Sequence, residues 1–138
     1  MKKKDKKLVF ADLCARLPYG VRVKGTFPRM DWDTDKVKND VYDKILDAND
    51  LEWLTYCGSA KPYLRHMSSM TESEYNEFQK AVKTDNGIHF GCGVQGKPKI
   101  FTLGVRALDW LNTHHFDYRG LIEMGLAIEA SREMYNEE

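Results

Sequence analysis

The sequence predicts an α+β domain in which a small antiparallel sheet is packed by two or three helices, and three observations carry that expectation. Its 138 residues suit one hydrophobic core and are short for two. Residues Val21 to Phe27 alternate strictly, with Val21, Val23 and Phe27 on one side and Arg22, Lys24 and Thr26 on the other, which is the period of a half-buried strand. Thr71-Glu-Ser-Glu74 is a capping box ahead of Tyr75, Phe78 and Val82, and Asn86-Gly87 closes a helix over about residues 72 to 84.

Along the chain, Leu8 and Phe10 alternate as in a strand, and Asp12 is placed to cap a short helix through Leu13, Cys14 and Leu17 that Pro18 ends. Cys14 reads as core on the apolar side of that helix. Between Pro28 and Ser59, Val37, Val41, Ile45 and Leu46 fit a helix face, although Asp47-Ala-Asn-Asp50 is a turn cluster that can equally join two strands. A helix or irregular segment is expected there, followed by a strand over Leu51 to Cys57. Met70 and Tyr75 form a hydrophobic staple about the capping box. Ile88 to Phe90 and Lys99 to Leu103 flank a Gly-rich turn and predict a hairpin. Val105, Leu108, Leu111 and His115 mark one face of the next helix, with Trp110 and His114 toward its other side. A short helical turn, Leu121 to Met124, stops at Gly125, and Leu126 with Ile128 can add an edge strand.

Composition excludes several function classes. Lys plus Arg equals Asp plus Glu at 21 each, so no global field draws the chain to nucleic acid or an anionic membrane. No window is long and apolar enough for a transmembrane helix, and the charged start, Met1 to Lys7, is followed only by Leu8-Val9-Phe10, which is no secretion signal. Cys14, Cys57 and Cys92 are far apart and odd in number, as expected for reduced thiols in a cytoplasmic protein. One domain over residues 1–138 is expected, with the basic end (1–7) and the acidic end (129–138) frayed.

Candidate chemistry is sparse. Gly91-Cys-Gly93-Val-Gln-Gly96-Lys97 matches G-x-G-x-x-G, but a dinucleotide phosphate needs a helix N-terminus after the glycines, and Lys97-Pro98-Lys99 leads into a strand. His114, His115 and Asp117 are close in sequence, yet adjacent helical residues point about 100° apart and do not readily share an ion. His66 and His89 have no supporting spacing, and no cysteine has a base readable beside it. No catalytic residue, metal or cofactor is therefore expected. Lys61-Pro-Tyr-Leu-Arg-His66 and Phe116-Asp-Tyr-Arg-Gly120 mix aromatic and cationic side chains, a composition that serves protein hot spots and base stacking alike. With the neighbouring helix they nominate Tyr63, Arg65, Trp110, His114, Tyr118 and Arg119 as an interaction surface. The alternative is that the aromatics anchor loops and Arg65 and Arg119 pair with acids.

Three stretches, Asp12 to Val21, Lys61 to Thr71 and Asp109 to Ala127, together somewhat over a quarter of the chain, resemble a family of small proteins encoded by gut bacteria and by their phages and prophages. The resemblance implies a phage or prophage setting and a cytoplasmic role, and it brings no catalytic residue, cofactor or partner. Proline often stands in that family where this chain has His66, which argues against a role for that histidine. Residues 28–59 lie outside the resemblance, and if partner choice varies within the family, that segment is where it is expected to differ.

A non-enzymatic protein-interaction module is the function these readings favour. A nucleic-acid-binding protein using Lys2 to Lys7, Arg22, Lys24, Lys97 and Lys99, and a small enzyme using Cys57 or Cys92 with a histidine, are the alternatives. An unpaired edge strand would also allow a homodimer.

Overall fold

The computed structural model describes residues 2–51, 59–86 and 104–135. Helix α1 (Lys3–Arg16) runs through a 3-10 turn to Gly20, whose φ of +71° makes the turn into β1 (Arg22–Asp31). Then follow β2 (Lys36–Ile45), β3 (Ser59–Leu64), α2 (Glu72–Asn86), α3 (Val105–Thr113) and β4 (Ile128–Glu129). The sheet order is β2-β1-β3-β4. β1 is antiparallel to both neighbours, while the two-residue edge strand β4 runs parallel to β3, pairing Tyr63 with Ile128 and Leu64 with Glu129. The fold is α+β as expected, with three antiparallel strands and one parallel edge.

The N-terminal expectation is corrected, because α1 is one helix of 14 residues rather than a strand and a short helix. Its buried stripe is Val9, Asp12, Leu13 and Arg16, at helical spacing i, i+3, i+4 and i+7. Two of those four are charged, so the hydrophobic pattern hides the helix. Asp12 is not a cap, and Cys14 is exposed rather than core. Lys3 to Lys7 belong to this helix, and Tyr135 is held by hydrogen bonds to Arg22 N–H and the Tyr63 carbonyl.

Lys36 to Ile45 is a strand, not a helix. Val37, Val41 and Ile45 are four apart, a spacing that shares one face in a helix and in a strand alike. Loop closure decides it, since Asp33 N–H donates to Asp31 Oδ1 at 3.0 Å and Thr34 N–H to the Asp31 carbonyl at 3.3 Å, folding the chain back at Asp31. β1 and β2 then pair over ten residues each, from Arg22↔Ile45 to Asp31↔Lys36.

Both faces of Thr71-Glu74 form as a capping box: Glu74 N–H donates to Thr71 Oγ1 at 3.1 Å and Thr71 N–H to Glu74 Oε1 at 3.0 Å. In α3, Ala107, Leu111 and Asn112 are buried, whereas Val105, expected on the packed face, is exposed. Leu121 to Met124 forms hydrogen-bonded turns, with Gly125 at φ +75°. Of the strand expected over Leu51 to Cys57, residues 52–57 lie outside the described residues, as does the hairpin with its Gly-rich turn.

The core lies between α1 and the inner sheet face: Val9, Leu13, Val21, Val23, Leu46, Ala60, Leu64, Leu121, Leu126 and Ala127. At Gly25 the sheet admits no side chain, since a Cβ there would meet the Ser59 carbonyl oxygen at 1.6 Å. Tyr42, opposite Gly25, reaches across it and donates to that carbonyl at 2.7 Å, and burial pushes its phenol up to about 12.

Candidate functional site

The β1–β2 hairpin is longer than the sheet that carries it. β3 pairs with β1 only from Val23 to Thr26, so Phe27 to Asp31 and Lys36 to Asp40 continue as a two-stranded arm. The alternation of backbone groups fixes which edges are open. Thr26 N–H points to Ser59 Oγ, on the β3 side, while the Val21 carbonyl accepts from Leu46 N–H, on the β2 side. Even-numbered β1 residues therefore face β3, and odd-numbered ones bond to even-numbered β2 residues.

Two consequences follow. Pro28, being even, has its missing N–H on the outer edge just past the end of β3, where it costs β2 no ladder bond and blunts further pairing. Val37, Asn39, Val41, Asp43 and Ile45 turn their N–H and C=O groups outward from β2, which among the described residues pairs only with β1. The blunted edge is β1; the open one is β2.

One face of the arm is apolar and uncovered among the described residues. Register places Met30 beside Val37, Thr26 beside Val41 and Pro28 beside Asn39 on the face away from the core. Met30 is 42% exposed, Val37 64% and Val41 69%, and Trp32 in the connecting turn is 83% exposed. A single exposed Val needs no explanation, but an indole at a protruding tip next to three aligned apolar side chains is the composition of a contact surface.

The opposite face carries charge in pairs. Arg29 Nε meets Asp40 Oδ2 at 2.8 Å and Lys38 Nζ meets Asp31 Oδ2 at 2.7 Å. The Lys38 ammonium is the main reason that the Asp31 carboxyl lies below the usual range. At the base, Arg22 pairs with Asp43 at 2.9 Å on the same face as Met30 and Val37, and Lys44 pairs with Asp50 on the charged face.

The six residues nominated from sequence separate into three places. Tyr63 is buried and its hydroxyl donates to Asp43 at 2.8 Å at the foot of the arm, and this bond is the first cause of the lowered Asp43 carboxyl. Arg65, Trp110 and His114 meet around Phe116 and Glu74. Arg65 gives Glu74 two hydrogen bonds of 2.8 Å while its guanidinium lies 4.2 Å from the Phe116 ring centre. That fork draws the Glu74 carboxyl down to about 2. Trp110 stacks on Phe116 at 5.6 Å, touches the His114 ring at 4.3 Å, and donates to Glu77 at 3.3 Å.

Tyr118 and Arg119 close a third cluster. Asp12, with no exposed surface, receives Arg16 Nε at 2.8 Å and Arg119 Nε at 3.1 Å, while Arg16 Nη2 donates to the Phe116 carbonyl at 2.6 Å. The Tyr118 ring lies 5.2 Å from both guanidinium carbons, and its hydroxyl donates to Asn112 at 2.8 Å. In all three places the side chains join α1, the sheet and the helices to one another.

His115 and Asp117 also serve the fold. His115, at φ +59°, is buried against Tyr135 with ring centres 3.9 Å apart, and burial draws its imidazole down to about 4. Asp117 accepts from Leu121 N–H and Ile122 N–H, each at 2.9 Å, which caps the following turns. Tyr135 bridges Arg22 N–H at 2.9 Å and the Tyr63 carbonyl at 2.7 Å, standing in for a ladder rung just where β1–β3 pairing ends.

A polar cleft of about 660 Å³ opens beside Arg65, His66, Ser69, Thr71, Glu129 and Arg132. Its charges are of both signs: Arg65 is held by Glu74, and His66 Nε2 lies 3.9 Å from Glu129. Ser69 Oγ donates to the His66 backbone carbonyl at 2.6 Å, so it is not poised against the imidazole. Among the described residues no group of three or more His, Cys, Asp or Glu side chains converges as metal ligands, and no helix is long and apolar enough to cross a membrane. Comparison with protein families, with curated proteins and with solved structures finds no match.

Proposed function

We propose that the chain is a non-enzymatic, cytoplasmic protein-interaction module of phage or prophage origin, and that the β1–β2 arm is its docking element. The supporting observation is the projecting arm itself, with one open edge and an uncovered strip of Met30, Val37 and Val41 that ends at Trp32. Extended arms of this kind contact partners by main-chain pairing along the edge and side-chain packing on one face. Apart from Phe27, the arm falls within residues 28–59, outside the family resemblance, the segment where partner choice would differ if it varies within the family.

The nucleic-acid alternative gains little from the arm. Arg22, Arg29, Lys38 and Lys44 each pair with an aspartate, and Asp31, Asp33 and Asp35 gather at the tip, so no basic stripe faces outward.

Affinity capture from a host lysate, with and without nuclease, tests the reading when wild type and a W32S/V41T variant are compared. A stoichiometric protein that survives nuclease and is lost with the variant is expected. Nucleic acid lost on digestion, or capture indifferent to the two substitutions, would overturn it.

A further inference from the structure

Resting on the reading of the arm as an interaction surface, we infer that the β2 edge pairs with β2 of a second copy of this chain, antiparallel about a two-fold axis through Asn39. A two-fold pairing sets residue i opposite a residue j with i + j constant, and only the odd-numbered residues of β2 offer outward backbone groups. Those two conditions leave few registers.

Centred on Asn39, the pairing sets Val37 opposite the second copy's Val41 and Lys38 opposite its Asp40, each twice by symmetry. Lys38 and Asp40 then fall in the non-hydrogen-bonded positions, where cross-strand side chains approach most closely. Centred on Val41, Lys38 would meet Lys44, and centred on Asp40, Asp40 would meet its own copy and Lys36 would meet Lys44. Centred on Tyr42, Asp40 meets Lys44, but Val41 is set against Asp43 and Asn39 against Ile45. Only the Asn39 register matches charge with opposite charge and valine with valine. Lysines along an open edge ordinarily discourage pairing; here Lys38 is answered by Asp40 of the second copy, and Lys36 falls opposite its Tyr42.

The assembly would also complete the arm. Rows across the four strands on the uncovered face would read Met30, Val37, Val41 and Thr26, with the central row Pro28, Asn39, Asn39 and Pro28. Two short apolar strips would become one broad face flanked by two Trp32 side chains, while Asp40, already held by Arg29, would gain Lys38 of the second copy on the charged face.

Sedimentation equilibrium of the full chain tests the register by charge exchange. Wild type is expected at twice the monomer mass, and K38D alone and D40K alone as monomers, since each sets like charges opposite. An equal mixture of K38D and D40K is expected to restore the dimer, because every cross-strand pair is then opposite in sign. Far-ultraviolet circular dichroism verifies that both variants are folded. A wild-type monomer up to millimolar concentration, or a dimer that neither single substitution weakens, would overturn the inference. Partner capture by a monomeric wild type would leave the arm's docking role intact, so the two failures are distinguishable.

Discussion

Asp12 ties α1 to the segment after α3, because its fully buried carboxylate holds Arg16 of the same helix and Arg119 beyond α3. Removing one partner of a buried pair strands the other, at a cost of about 3–5 kcal/mol. Asp12→Ala is expected to lower stability by that amount in urea denaturation, and a loss under about 1 kcal/mol, typical of an exposed pair, would contradict the placement. Gly25→Ala is expected to cost about 3 kcal/mol or more in the same assay, because the added methyl collides with the Ser59 backbone and displaces Tyr42. Neither role is legible in the sequence. Asp12 has the spacing of a cap from Leu13 onward, and a glycine within a strand says only that something comes close.

The arm supplies the prediction at the scale of the element. Trp32 and Val41 bury little, so W32S/V41T is expected to change stability by no more than about 0.5 kcal/mol while abolishing capture of the partner. A large loss of stability would mean that the strip is covered by the protein itself. How far sequence reached is clearest at this scale. The Thr71–Glu74 box and the Val21–Phe27 alternation were readable because each is a local code, a cap or a period, satisfied within a few residues. α1 was hidden because half of its buried stripe is ionised, and β2 because valines four apart suit either period. Tyr63, Arg65, Trp110, His114, Tyr118 and Arg119 stand out in the sequence as a mixed aromatic and cationic set. Their partners, Glu74, Phe116 and Asp12, are set by tertiary contacts that no spacing encodes.

Across the whole molecule, His115 and Glu74 give acid two successive windows that overlap between about pH 4 and 4.5. His115 is held at about 4 against an ordinary 6.5, so the unfolded chain binds the extra proton between those values. Its contribution is complete above pH 6.5, falls as pH drops to about 4, and is level below. A slope approaching about 1.4 kcal/mol per pH unit is expected in that window. H115N, which keeps an asparagine-tolerant left-handed backbone, is expected to flatten it in denaturation series from pH 7 to 4. Glu74, held at about 2 against 4.5, contributes fully above 4.5 and loses its share as pH falls toward 2, so E74Q is expected to lower stability above pH 4.5 and to flatten the slope between 4.5 and 2.

The buried clusters join α1, the sheet and the helices, while Met30, Trp32, Val37 and Val41 of the hairpin stay exposed among the described residues. Hydrogen exchange of the captured complex against the free chain tests that division directly. New protection is expected in the arm, residues 27–41, about the uncovered strip that ends at Trp32. Protection confined to α2, α3 or the cleft beside Arg65, with the arm exchanging as in the free chain, would contradict it.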